Sequence, residues 1–301
     1  MKILASRRFP GPAWDELIDV EYLAGPLPDG AGGLHEDIEA LAVVGERVDD
    51  ETLDLFPNLR IVANYGVGYD SVDAGACAAR GIVVTNTPGV LTAATADLAI
   101  ALLLTVRRRI VVGDRAVREG RWHGGWADPD FLGRDVSGST LGIVGFGRIG
   151  QAVAHRAAAF GMRVLHYSRR RGGEDWRELD ELLAEVDAVS LHVPLTPDTR
   201  GLLDASRLAL LRDGACLINT ARGPIVDEDT LVLELVSGRI EAGLDVFVHE
   251  PEVPRKLLGL PNVVLTPHVG SATAETREAM TRVFVDNLLA VARDERPPNL
   301  V

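Results

Sequence analysis

The sequence is short of several things, and each shortage removes a class of protein. It has two cysteines in 301 residues, Cys77 and Cys216. They show neither metal-ligand spacing nor a disulfide framework, so no metal site and no oxidising compartment is expected. Positive charge is scarce. A net charge of −13 and a pI near 5.0 leave no broad basic face. That excludes nucleic acid as the main partner but leaves room for a small local anion site. Long apolar runs are missing too. The longest, LAIALLLTV at 98–106, is far below the roughly 20 residues that a bilayer-spanning helix needs. The opening MKILASRRFPGPAW lacks an apolar stretch followed by a small-residue cleavage site, so no secretory leader is expected. There is no internal repeat, low-complexity tract or charge block. The expectation is a soluble cytoplasmic protein with no membrane partner.

What is present is an ordinary globular composition, 47% hydrophobic and 25% charged, in a chain long enough for one large domain or two average ones. Short runs rich in Val, Ile and Leu recur: KILAS (2–6), ALAVVG (40–45), RIVANYG (60–66) and IVVTNT (82–87). A long apolar helix candidate follows, ATADLAIALLLTVRRRIVVG, and then an irregular stretch with tryptophans, RWHGGWADPDFLGRD. A second series contains LGIVGFG (141–147), RVLHYS (163–168), AVSLHVP (188–194), ACLINT (215–220), GLDVF (243–247) and VVLTPH (263–268). Runs that are apolar throughout, separated by helical segments, suit strands covered on both faces in parallel sheets built from βαβ units. Two series imply an α/β protein of two doubly wound parallel-sheet lobes. Near the end, Met280, Val283, Phe284, Leu288 and Val291 fall at helical spacing. Periodicity alone leaves open which lobe this helix joins. The closing ERPPNL is expected to be a short tail.

LGIVGFGRIG contains G-x-G-x-x-G at Gly145, Gly147 and Gly150. The pattern is weak in isolation. Here it follows an apolar strand, opens a helix and is followed by a second strand, the context in which such glycines cradle the pyrophosphate of a dinucleotide. At the end of the second strand, where an Asp or Glu would bond the ribose hydroxyls of NAD, the sequence has Ser168, Arg169, Arg170 and Arg171. A hydroxyl and guanidinium groups suit a 2′-phosphate, and a carboxylate would repel it. The expected cofactor is therefore NADP, with NAD as the alternative. Arg169 and Arg170 are the nearer candidates, and Arg171 is expected to face solvent. The competing explanation is a solvated basic turn ahead of the acidic segment GGEDWRELDELL.

Seven segments resemble, in order, signatures of the D-isomer-specific 2-hydroxyacid dehydrogenases. They are NYGVGYDSVD (64–73), TNTPGVLTAATAD (85–97), GRDVSGSTLGIVGFGRIG (133–150), LHVPLTPDTRGLLD (191–204), INTARGPIVDEDTL (218–231), GLDVFVHEP (243–251) and LTPHVGSAT (265–273). Within that family the chain is most similar to glyoxylate/hydroxypyruvate reductases. The resemblance implies a Rossmann-type cofactor domain (99–270) inserted into a discontinuous flavodoxin-like substrate domain (1–98 and 271–301). It implies Arg222, Glu250 and His268 as catalytic residues. Each follows a different expected strand, at the sheet edge where ligands bind. For a 2-keto acid, Arg222 would grip the carboxylate, His268 would protonate the keto oxygen and Glu250 would orient the imidazole. In isolation, a His after a strand or an Arg in a loop is more often structural, and an E-P dipeptide is usually a turn.

The same resemblance implies substrate contacts from Val67, Gly68, Arg222, His268 and Trp126. It implies cofactor contacts from Thr95, Arg148, Ile149, Val193, Pro194, Thr199, Thr220, Ala221, Asp245 and Gly270 besides the glycines, with Asp245 bonding the nicotinamide carboxamide. Asn64 and Tyr65 separate the loop from phosphoglycerate dehydrogenases, which carry Arg-Ala-Gly there. Ala93 and Ser71 depart from the usual Glu and Asn, away from the implied chemistry. The tryptophan-bearing segment resembles a dimerisation arm, so a homodimer is expected, with Trp126 near the substrate. Two other readings stay open. One is the same chemistry on another 2-keto acid, of D-lactate or branched-chain type. The other is a dinucleotide-sensing corepressor, a class that carries extra terminal segments.

Overall fold

The structure, a computed structural model, describes residues 1–28, 33–124 and 128–301. Two compact units form. One comprises Met1–Leu91 with Ser271–Val301, the other Thr92–Gly270.

The first unit begins with β1 (Ile3–Ala5), β2 (Val20–Tyr22), β3 (Ala40–Val43), α1 (Asp50–Leu53), β4 (Ile61–Asn64), α2 (Ala74–Ala79) and β5 (Val83–Thr85). The sheet order is β2-β1-β3-β4-β5, parallel throughout. That is the flavodoxin-like order. Every residue of β1, β3 and β4 is buried, which is why these strands read as unbroken apolar runs. The edge strand β2 has no such run, because Glu21 and Tyr22 are exposed, and sequence reading misses it. Asp49 and Asp73 cap α1 and α2 by accepting from the amides of Thr52 and Ala76.

The second unit contains α3 (Thr92–Arg107), α4 (Ile110–Arg118), β6 (Thr140–Val144), α5 (Arg148–Ala159), β7 (Arg163–Tyr167), α6 (Leu179–Glu185), β8 (Ala188–Leu191), α7 (Ala205–Leu210), β9 (Cys216–Asn219), α8 (Glu228–Val236), β10 (Glu241–Leu244) and β11 (Val263–Leu265). Its parallel sheet runs β7-β6-β8-β9-β10-β11. The order reverses between β6 and β8, the switch point of a Rossmann-type sheet. The unit starts at Thr92 rather than at 99, because α3 is one helix from Thr92 onward and packs on α5, β9, β10 and β11.

The long apolar helix expected over 94–113 is two helices. Arg109 sits in the left-handed region, φ 51°. The Arg107 carbonyl, at the end of α3, accepts from the Arg134 amide at 2.7 Å. Buried Arg107 donates to the carbonyls of Gly214 and Asp135. The chain around 133–135 thus replaces the next helical turn. Apolar patterning cannot register a break made by main chain from elsewhere.

The last helix, α9 (Ala274–Ala292), belongs to the first unit and packs on β4 and on a 3-10 turn at Pro12–Glu16. Phe284 anchors it among Phe9, Trp14 and Tyr65, with ring centroids 4.9 to 6.1 Å away. Tyr65 adds a hydrogen bond from its hydroxyl to the Arg277 carbonyl at 2.7 Å. The closing residues are more than a tail. Leu300 bridges antiparallel to Thr85, and the Val301 amide donates to the Val84 carbonyl.

Candidate active site

The glycine loop joins β6 to α5. Gly145 has φ 97°, and a Cβ there would sit 2.6 Å from the His192 carbonyl carbon. A Cβ on Gly150 would overlap the Gly145 carbonyl oxygen and crowd Ile143. Packing of the turn, the helix and the strand therefore requires both glycines. Gly147 is different. It precedes α5 in extended conformation, and a Cβ there would meet nothing within 4 Å. Space lies open at the point where the amides of the first turn, Arg148, Ile149 and Gly150, have no intrahelical acceptor.

At the end of β7 the Ser168 hydroxyl donates to the Arg170 carbonyl at 2.8 Å, and the Trp176 indole N–H donates to the Ser168 carbonyl at 3.1 Å. Arg171 does not simply face solvent. It pairs with Glu178 at 2.7 Å and lies over the Trp176 ring. Arg169 and Arg170 are exposed and, among the described residues, have no ion-pair partner. A serine and two uncommitted guanidinium groups occupy the position where a carboxylate would mark NAD. Sequence reading overlooks the adjacent stack of His166 on Phe146 (3.9 Å, 10° between planes), which locks the glycine loop onto β7. Burial lowers the pKa of His166.

The remaining implied cofactor positions cluster at the carboxyl ends of the same sheet. Val193 and Ala221 are partly buried against the unit's core. The Thr199 hydroxyl donates to the Pro194 carbonyl at 2.6 Å and closes that loop on itself. Thr220 has a buried hydroxyl with no partner among the described residues, an orphaned group that a bound molecule could satisfy. Thr95, on the first turn of α3, is buried and neighbours Gly270. These features, with the open space at Gly147, fit a nicotinamide dinucleotide. Beneath them, His192 bonds Ser190 at 2.8 Å, and burial pushes its pKa down to about 4.

Asp245 is fully buried after β10. Its carboxylate accepts from the Thr266 hydroxyl (2.7 Å) and the amides of Val269 and Gly270 (both 2.8 Å). Its carbonyl accepts from the His268 amide at 2.9 Å. One acid thus ties down the whole loop after β11, a role that the sequence does not announce. His268 itself takes φ 53°, a conformation that costs on the order of 1 kcal/mol or more and persists because its surroundings fix it. Its Nδ1 lies 2.6 Å from Glu250 Oε2, while Glu250 Oε1 accepts from the Phe247 amide. Burial pushes the Glu250 carboxyl up. The hydrogen bonds from His268 and Phe247, with the charges of His268 and Arg222, outweigh it, and the carboxyl is held below its usual pKa. Asn219, ending β9, donates to the Arg222 carbonyl and accepts from the Ala221 amide. A Cβ on Gly223 would overlap the Phe247 carbonyl, so the Arg222 loop lies flush against the chain leading to Glu250.

In the first unit, Val67 and Gly68 follow β4. Their amides make no hydrogen bond among the described residues, whereas the carbonyls of Gly66, Val67 and Gly68 are all taken. Trp126 lies outside the described residues, and Trp122 is exposed. No helix among the described residues is long and apolar enough to cross a membrane. No cluster of metal-ligating side chains occurs among them.

The profile of the D-isomer specific 2-hydroxyacid dehydrogenase NAD binding domain matches residues 100–270. A glyoxylate reductase of Thermococcus litoralis is 48% identical, over 95% of this chain and 91% of its own. A solved Thermus thermophilus protein, TT0316, superposes with a TM-score of 0.92 at 48% identity, covering 100% of both chains. An NADPH-dependent glyoxylate/hydroxypyruvate reductase of Sinorhizobium meliloti, solved with NADP and malonate, gives 0.90 at 39% identity, covering 100% of this chain and 96% of that one.

Proposed function

The chain belongs to the D-isomer specific 2-hydroxyacid dehydrogenases, and we propose that it reduces a small 2-keto acid, glyoxylate or hydroxypyruvate, to the D-2-hydroxy acid with NADPH. The observation that carries this reading is the His268–Glu250 pair, 2.6 Å apart, at the carboxyl edge of the dinucleotide-binding sheet. A bound nicotinamide supplies the hydride that the keto carbon takes up. The protein's own groups do the rest. With Nδ1 committed to Glu250, His268 offers its Nε2 proton to the keto oxygen, and in the reverse direction it takes that proton back. Glu250 holds the ring's orientation and balances the charge it carries with both nitrogens protonated. Arg222 binds the carboxylate and polarises the keto group. In the first unit, the amides of Val67 and Gly68 are donors for a substrate carboxylate.

Ser168, Arg169 and Arg170 favour NADP over NAD by holding a 2′-phosphate. The protein works as a homodimer, a reading supported by exposed Trp122, and its expected compartment is the cytoplasm. Asp245 anchors the loop that carries His268. The test is steady-state turnover of glyoxylate, hydroxypyruvate, pyruvate and a branched 2-keto acid with NADPH and with NADH. The first two acids with NADPH should be fastest. An NADH preference of about tenfold, roughly 1.4 kcal/mol, would sink the cofactor assignment, and a faster branched acid would move the substrate assignment.

A further inference from the structure

Three strands end on, or run directly into, an asparagine: Asn64 closes β4, Asn219 closes β9, and Asn86 follows β5. Each turns its carboxamide on carbonyls of a nearby loop. In the first unit two of them converge on one loop. Asn64, 2% exposed, donates from Nδ2 to the Gly66 carbonyl (3.2 Å) and the Gly68 carbonyl (2.9 Å), which uses both of its N–H groups. Asn86 donates from Nδ2 to the Val67 carbonyl at 2.9 Å. The Thr87 amide adds a second bond to the Gly66 carbonyl. Only the nitrogen end of each carboxamide can face a carbonyl oxygen, so the orientation of both side chains is fixed by their partners. Asn86 is itself gripped by its main chain. Buried Asn287 of α9 donates to its carbonyl, and its amide donates to the Asn299 carbonyl.

From this we infer that Asn86 and Asn64 are positioning residues: they pull the three carbonyls of Gly66–Gly68 inward so that the amides of Val67 and Gly68 point out together as an anion-binding pair. A peptide plane has its N–H and C=O on opposite sides. Fixing the Gly66 carbonyl therefore sets the direction of the Val67 amide, and fixing the Val67 carbonyl sets that of Gly68. The glycines in this loop make the alternative peptide orientations accessible, so the clamps are what select one of them. The inference rests on the reading of this loop as a carboxylate site of a 2-keto acid reductase. It predicts that the asparagines govern substrate affinity without touching substrate.

Kinetics of the full-length Asn86→Ala protein test this, with glyoxylate varied at saturating NADPH and NADPH binding followed by fluorescence titration. Asn86 is the better site because it is less buried than Asn64. The expected result is a glyoxylate KM raised about tenfold, with kcat and NADPH affinity within about threefold of the parent. Asn86→Asp keeps the shape but cannot donate to the Val67 carbonyl, and should raise KM further. If Asn86→Ala does not fold, Asn86→Ser, too short to reach that carbonyl, should show the same KM rise. A KM unchanged in these variants, with or without a lower melting temperature, overturns the inference and leaves the proposed activity standing. A parent enzyme that turns over no 2-keto acid overturns the activity and the inference together.

Discussion

In the proposed function, each unit offers donors to an organic anion, and the two do so with opposite chemistry. In the first, the candidate groups are main-chain amides, and neutral carboxamides from Asn64 and Asn86 aim them. In the second, they are charged side chains, and their supports include a buried acid: Asp245 holds the loop of His268, and Glu250 holds its ring. Main-chain donors carry no formal charge and need no counter-ion, so the first unit can recognise a carboxylate without titrating. In the proposed mechanism the second unit moves protons, and for that task His268 is paired with Glu250. Loss of a side chain should be severe in the second unit and graded in the first.

The largest expected effect short of removing His268 is from Arg222→Ala, which should lower kcat/KM for glyoxylate by about a thousandfold, roughly 4 kcal/mol of transition-state stabilisation. A loss no greater than that of Asn86→Ala would erase the distinction between the units. Next comes pH. His192, neutral in the fold with a pKa of about 4, has an unfolded value near 6.5. Between those values the unfolded chain binds the extra proton, so stability falls as pH drops from about 6.5 to about 4. The loss amounts to as much as about 3 kcal/mol and is absent above about pH 6.5. Glu250, held below its usual pKa, adds to the acid loss from the ordinary carboxylate range downward, where the unfolded chain takes up a proton that the folded carboxyl still refuses. Denaturant melts of the parent and of His192→Gln across this range should converge at low pH. Parallel curves would assign the acid sensitivity elsewhere.

A smaller effect follows from Asp245→Asn, which puts an amino group where an oxygen accepts at least one loop hydrogen bond. That should cost about 1–3 kcal/mol of stability and lower kcat as the His268 loop shifts. Unchanged kcat in a folded variant would mean that the loop holds its shape without the acid. The smallest effect is on cofactor choice. Ser168→Asp with Arg169→Ala should shift the NADPH-to-NADH ratio of kcat/KM by about tenfold toward NADH, and no shift would leave Arg169 a solvated bystander.

Much of this organisation can be read from residues alone, for a physical reason. Strands buried on both faces are apolar nearly throughout, so of the eleven strands among the described residues eight fall within quoted runs and β6 and β10 overlap them, while β2, with Glu21 and Tyr22 in solvent, leaves no such mark. Gly145 and Gly150 are recognisable because their backbone geometry tolerates no side chain. What stays hidden depends on partners remote in sequence. The break between α3 and α4 is made by main chain around 133–135. The role of Asp245 appears only once β11 lies beside β10. Arg171 is set apart from Arg169 and Arg170 in the sequence by its distance from the strand end, but its engagement by nearby Glu178 and Trp176 is visible only in the fold. The strand-end asparagines are legible as residues, but not as clamps.

The most direct test of the proposed division of labour is His268→Ala, assayed for turnover and for NADPH binding on the same preparation. Turnover of glyoxylate should fall by about 10² to 10⁴, with NADPH affinity within about twofold of the parent. Loss of both together, or retention of turnover, would contradict the assignment of His268 as the proton donor and make the His268–Glu250 pair a structural feature of the loop.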